Sequence, residues 1–178
     1  MPSNNELPHY YYDDYTIWKG EWELIEGIPY AMTPSPVFRH QFISQKIGRY
    51  LDESLDDCPD CQALAALDWI VSEDTVLQPD NMVICYAPEG DFLTRPPALV
   101  FEILSPSTAK KDRMTKFRIY QQEGVLWYCL VDPEKQLIEI YKRVAGRYIK
   151  QGEVGRERYL FDLEHCQISL DFSMIWPT

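Results

Sequence analysis

The chain has 178 residues, 46% of them hydrophobic and 13% aromatic, enough apolar surface for one globular core and a length that fits one domain. Its 17 Lys and Arg stand against 28 Asp and Glu, a net charge of −11. That field opposes broad, nonspecific attraction to nucleic acid, so any such binding needs a local patch. No run of about 18 apolar residues is present, and Met1-Pro2-Ser3-Asn4-Asn5-Glu6 lacks the basic-then-apolar pattern of a leader, so a cytoplasmic protein away from membranes is expected. Five cysteines, at 58, 61, 85, 129 and 166, are an odd number. Cys85 and Cys129 lie in apolar runs where a reduced thiol acts as a small hydrophobe, so no disulfide framework is expected.

Residues 1–12 are polar apart from Tyr10, Tyr11 and Tyr12 and read as a loosely held tail, with 13–178 as a single domain. The stretch 22–32 suggests two short strands turning at Gly27. After it comes an extended Thr33-Pro34-Ser35-Pro36, whose prolines forbid helix. A helix is predicted over 38–55, with Phe42, Ile43, Ile47, Tyr50, Leu51 and Leu55 at helical spacing. Strands are predicted over 63–71, 76–77 and 81–86, then a loop rich in breakers over 88–97. The apolar run 98–104 is a further strand. Ser105-Pro106-Ser107-Thr108 breaks it and caps a second helix over 110–123, which stops at Gly124. Strand 125–131 and a hairpin from 137 through Ile149 follow. Strand, helix and strand across 98–131 form a βαβ-like unit, which makes the class α/β or mixed α+β.

Alternation in the run 98–104 puts Val100, Glu102 and Leu104 on one face. Glu102 thus has only apolar strand neighbours, and an unpaired buried charge costs several kcal/mol. A metal ion, a lysine or arginine, or a proton must compensate it. Asp80 follows Pro79, which favours extended backbone, so an adjacent strand could bring its carboxylate to the same sheet end. Two carboxylates suit magnesium, which takes hard oxygen ligands and keeps several waters. Lys116, in the following helix, is the candidate to orient or deprotonate a water and to stabilise charge developing on phosphorus.

These residues carry a resemblance. Pro79-Asp80, then Glu102 within Val100-Phe101-Glu102-Ile103-Leu104-Ser105-Pro106-Ser107-Thr108, then Asp112, Lys116, Tyr120, Gly124-Val125, Tyr128 and Asp132-Pro133 look like the Uma family of restriction endonucleases, within the PD-(D/E)XK nuclease superfamily. Glu23-Leu24-Ile25-Glu26-Gly27, Met32-Thr33-Pro34-Ser35-Pro36 and His40 also match, so the similarity spans roughly 15–175. The resemblance implies a restriction-endonuclease-like fold, a central mixed sheet flanked by helices, with magnesium-dependent hydrolysis of phosphodiester bonds, DNA being the expected substrate. Asp80 and Glu102 would hold the metal and Lys116 would assist the water. Glu23, preferred over Glu26, would add an acidic group from the first strands. The superfamily lysine two residues after the acidic one is Leu104 here, so Lys116 would replace it from the helix. Nucleases of this fold often pair to cut both strands, so a homodimer is a further expectation, with Tyr10, Tyr11, Tyr12 or Trp176 at its interface. The alternative is a noncatalytic module of the same fold that binds nucleic acid or a protein, with Lys116 merely neutralising Glu102.

Plainer readings stand beside these. Asp112 and Lys116, four apart with the acid first, make an ordinary surface pair worth about 0.2–0.5 kcal/mol. Lys110, Lys111, Arg113, Lys116 and Arg118 read equally as a phosphate-binding patch or a solvated helix face. Cys58-Pro59-Asp60-Cys61 has metal-like spacing, but no second cysteine or histidine pair follows at zinc spacing, so it reads as a surface loop. His40, near a helix start, could lie close to the site, but capping or packing is the more ordinary reading. Trp69, Trp127 and Tyr128 read as core.

Overall fold

The structure, a computed structural model, describes residues 7–32 and 37–178. One helical turn, α1 (Tyr12–Tyr15), precedes strands β1 (Trp22–Ile25) and β2 (Ile28–Ala31). The two strands turn at Gly27, as the sequence predicts, and Gly27 has φ +79°; a Cβ there would run into the His9 ring. The amides of Tyr10 and Tyr12 donate to the carbonyls of Gly27 (2.9 Å) and Glu73 (2.7 Å), so residues 7–12 are tied to the body of the protein rather than loosely held. The proline segment 33–36 lies outside the described residues. Helix α2 (Phe38–Ser54) follows, and its stripe Ile43, Ile47 and Leu51 is buried, as the 3.6-residue period requires.

Strands β3 (Gln62–Ala65), β4 (Trp69–Ser72), β5 (Thr75–Leu77), β6 (Asn81–Ile84) and β7 (Leu99–Ile103) come next. The single strand expected over 63–71 is therefore two. Ala66 sits at φ +49°, a left-handed conformation that no strand can pass through, and the chain changes sheets there. After β7 the expected helix 110–123 begins as a π-helical stretch, Lys111–Lys116, and becomes α3 (Phe117–Glu123). Gly124 ends it at φ +93°, the usual left-handed stop. Strand β8 (Trp127–Asp132), the hairpin β9 (Leu137–Val144) and β10 (Arg147–Val154), and a second hairpin β11 (Arg158–Asp162) and β12 (Gln167–Asp171) complete the chain. The second hairpin has only a short alternating signal, with Phe161 opposite Ile168.

The central sheet has six strands in the order β10-β9-β8-β7-β6-β3. All neighbours are antiparallel except β7 and β8, the parallel pair that a crossover helix permits. A four-stranded sheet, β2-β1-β5-β4, and the pair β11-β12 complete a mixed α+β fold. Alternation along β7 divides the core. Leu99, Phe101 and Ile103 pack with α2 and the β11-β12 hairpin, while Val100 and Leu104 pack with Ile119, Tyr120 and Tyr128. Trp69, Trp127 and Tyr128 are buried, as expected for core residues. Trp176 is buried too and is unavailable as an exposed interface aromatic.

The cysteines depart most from expectation. Cys58 is paired with Cys166 and Cys61 with Cys85, leaving Cys129 as the free, buried thiol. The pairs are 108 and 24 residues apart in sequence, so local spacing could not foresee them. Register did the work for one pair: Gln62 faces Ile84 across β3 and β6, which sets Cys61 beside Cys85. The Cys58-Pro59-Asp60-Cys61 segment is a surface loop with Pro59 and Asp60 exposed, as expected, but its two cysteines turn inward and are buried.

Candidate active site

The site is assembled from the start of β6, the end of β7, the first turn of α2 and the π-helical stretch. Asn81 pairs with Phe101, and one further step along that antiparallel register sets Asp80 opposite Glu102. The Ile103 amide donates to Asp80 Oδ2 at 2.8 Å, and His40 Nε2 lies 3.2 Å from the same oxygen. Asn81 locks α2 in place: its Nδ2 donates to the Ser44 carbonyl (3.1 Å) and its Oδ1 accepts from the Ser44 hydroxyl (3.0 Å). His40, one helical turn before Ser44, is thereby aimed at Asp80.

Glu102 is 2% exposed and points to the α3 side of the sheet, the face that alternation predicts. Its Oε1 accepts from Lys116 Nζ at 3.0 Å and from the Tyr120 hydroxyl at 2.6 Å. Lys116 Nζ, 3% exposed, also lies 2.7 Å from Glu23 Oε1 and 3.7 Å from Asp112 Oδ1. Glu23 reaches in from β1, where its Oε1 accepts from the Gln78 amide (3.0 Å) and its Oε2 from Lys111 Nζ (2.6 Å). Tyr128 donates to the Asp112 carbonyl at 2.8 Å. Both Asp112 and Lys116 are buried, so the surface pair expected from their spacing is a buried one.

Four carboxylates (Asp80, Glu102, Asp112 and Glu23) therefore share one region with two ammonium groups and one imidazole, and burial together with these charges shifts their protonation. Burial raises the Glu102 carboxyl well above the usual range; Lys116 opposes this, while Asp80, Asp112 and Glu23 add to it. Asp112 is raised by burial as well, with Lys116 and Thr108 pulling it down. Glu23 goes the other way: burial works against its ionisation, but Lys116 and Lys111 outweigh it and hold the carboxyl below its ordinary value. Lys116 is pushed well above its normal range, its burial overcome by Glu102, Glu23, Asp112 and Asp80. His40 is raised despite burial through its bond to Asp80, and its Nδ1 is buried with no hydrogen-bond partner among the described residues.

Among the described residues, no group of three or more His, Cys, Asp or Glu side chains is set around one point fit for a metal ion; Lys116 Nζ stands among Glu23, Glu102 and Asp112 instead. The donor chemistry still suits a hard divalent cation. Asp80 and Glu102 could supply the one or two carboxylates that magnesium takes from a protein, and a cation nearby would offset the burial that raises the Glu102 and Asp112 carboxyls.

Of the four side chains singled out in the sequence, Glu23, Glu102 and Lys116 are in direct contact, Asp80 lies across the strand register from Glu102 and is held by Ile103 and His40, and Glu26 stands apart, ion-paired with Arg118 at 2.7 Å. The basic cluster is largely spoken for. Lys111 pairs with Glu23, Arg113 with Glu139 and Arg118 with Glu26, which leaves little free charge for phosphates. His40, Asp112 and Tyr120 belong to the cluster too. Spacing gave His40 and Asp112 ordinary roles and Tyr120 none, because each reaches the site through tertiary contacts; the signal that includes all three is the family pattern.

No curated protein matches this sequence. In structure the chain is similar to "a putative nuclease belonging to DUF820" from Anabaena variabilis, with a TM-score of 0.75 and 16% identity, over 94% of this chain and 97% of that one. At that identity the likeness shows a shared fold. The family model described as "Uma2: Putative restriction endonuclease" matches residues 12–170, a span that holds every member of the carboxylate and lysine cluster. The chain belongs to the Uma2 family.

Proposed function

We propose that the protein is a magnesium-dependent endonuclease that hydrolyses phosphodiester bonds, with DNA as substrate. The observation that supports this reading is Lys116 held against Glu102 in a buried cluster with more carboxylates than cations, with Asp80 across the strand register from Glu102. Asp80 and Glu102 would hold magnesium, which when bound activates water and offsets the charge of the scissile phosphate. Lys116 stays protonated under its carboxylate neighbours, so it serves as a donor that positions the attacking water and stabilises negative charge on phosphorus, rather than as a base. Glu23 holds that ammonium in place from the opposite side, through the 2.7 Å contact to Lys116. Two copies would cut both strands.

Incubation of supercoiled plasmid with the protein and magnesium tests this. Nicking or linearisation that disappears on chelation, and in Asp80→Asn and Glu102→Gln, is the expected result. Cleavage unchanged in both variants would refute the assignment. The rival is a noncatalytic module binding nucleic acid or protein. It draws support from the direct Lys116–Glu102 contact and from Leu104 at the superfamily's usual lysine position. It predicts no cleavage and no response to millimolar magnesium in calorimetry.

A further inference from the structure

At the other end of β6 from Asp80, four sulfurs meet. Cys85 directly follows β6, Cys61 directly precedes β3 across the register from it, Cys58 lies in the loop after α2, and Cys166 sits in the turn between β11 and β12. Cys58 is bonded to Cys166 and Cys61 to Cys85, and the two pairs lie side by side, with Cys61 Sγ 3.9 Å from Cys166 Sγ. A tetrahedral zinc centre with Zn–S bonds of about 2.3 Å has its sulfurs about 3.8 Å apart, so the gap between the pairs is already the edge of such a tetrahedron. Two unrelated structural disulfides have no need to approach each other this closely. The Cys58-Pro59-Asp60-Cys61 segment supplies the two-residue ligand spacing of structural zinc loops. The second pair absent from the linear sequence is supplied by two distant segments.

We propose that the reduced protein binds one zinc ion through Cys58, Cys61, Cys85 and Cys166. While the sulfurs are paired they offer no ligands, in keeping with the lack of a three-residue metal cluster among the described side chains. Reduction by a dithiol delivers two electrons and two protons to each disulfide and converts the dithiol to its own disulfide. The four thiols then release four protons as their sulfurs bind zinc, which leaves a closed tetrathiolate centre of charge −2. On reduction the bonded sulfurs are free to move apart towards tetrahedral positions, with the Cys61–Cys166 edge already at 3.9 Å. A surface cavity of about 300 Å³ lined by Asp60, Cys85, Tyr86 and His165 gives the ion a way in, and soft thiolates favour zinc over magnesium or calcium. The centre would tie the α2–β3 loop to the end of β6 and to the β11–β12 turn.

The full chain, purified anaerobically with a dithiol and a chelator, is titrated with Co²⁺ and then Zn²⁺ after its thiols have been counted in denaturant. The expected result is five thiols per chain, matching the five cysteines, and one Co²⁺ bound with tetrahedral d–d bands and thiolate charge transfer. Zinc displaces it, protons are released, and the melting temperature rises. Cys129→Ser keeps all of this, whereas Cys61→Ser and Cys166→Ser lose the bands. If those two variants fail to fold, the spectrum, stoichiometry and proton release of the unsubstituted and Cys129→Ser proteins decide. Five thiols without the cobalt bands, bands that persist in a folded Cys166→Ser, or disulfides that survive the dithiol would each overturn the proposal.

Discussion

Among the described residues Lys116 is the single cation that faces three buried carboxylates, and removing it isolates their cost. In Lys116→Met the packing volume is kept while contacts of 2.7 Å to Glu23, 3.0 Å to Glu102 and 3.7 Å to Asp112 are lost. At an effective dielectric constant of about 20, each contact is worth about 4–6 kcal/mol of Coulomb attraction. Burial of the ions and repulsion among the carboxylates take back most of it. What remains is the cost of stripping one partner from a buried ion cluster, about 3–5 kcal/mol, and Glu23 keeps Lys111 at 2.6 Å, which favours the lower end. For a domain of this size, that is a fall in melting temperature of roughly 6–20 °C. The loss depends on pH. Glu102 and Asp112 already have raised carboxyls and rise further without Lys116. The folded variant then binds more protons than the unfolded chain above about pH 4, so its stability falls as pH rises from there towards the folded values. Urea unfolding at pH 5 and pH 7.5, compared with the unsubstituted protein, gives the measurement. A loss below about 1 kcal/mol at pH 7.5, or one equal at the two pH values, would refute the reasoning.

Glu102→Gln probes the same cluster from the opposite charge. The amide oxygen can still accept from Lys116 and Tyr120, Lys116 keeps Glu23, and the carboxylate repulsion is gone, so without magnesium the variant is expected to be unchanged to about 1 kcal/mol more stable. Magnesium at ten times its dissociation constant should add about 1.4 kcal/mol to the unsubstituted protein and little to the variant, read by thermal melts; a loss above about 2 kcal/mol in metal-free buffer would point to a structural pair. Gly27→Ala should destabilise by about 2–4 kcal/mol, combining a left-handed backbone with a Cβ forced into the His9 ring. In the double variant with His9→Ala, the steric part returns and the backbone part remains; a double variant no more stable than Gly27→Ala would remove His9 from the explanation.

Local chemistry announced much of this fold. The 3.6-residue spacing of Ile43, Ile47 and Leu51 produced α2 almost to the residue, Gly27 and Gly124 marked a turn and a helix end, and the apolar run around Glu102 foretold a buried strand with its carboxylate on a defined face. Ala66 was invisible: alanine carries no turn signal, and its left-handed backbone comes from the crossing between two sheets. The π-helical stretch was hidden as well, since its residues read as an ordinary helix, and only its burial separates the Asp112–Lys116 pair from a solvent-facing one.

Sequence by itself singled out the candidate groups for chemistry, because a carboxylate set in an apolar strand demands compensation wherever the chain goes. It could name Asp80, Glu102, Lys116 and Glu23 through family pattern and alternation. Tertiary structure alone decided that Lys116 sits between Glu23 and Glu102, that His40 turns to Asp80, and that Cys58 and Cys61 meet Cys85 and Cys166. The physical reason is range. Periodicity and turn chemistry act over a few residues, while these contacts join segments 14 to 108 residues apart, set by strand register and by how helices dock on the sheet.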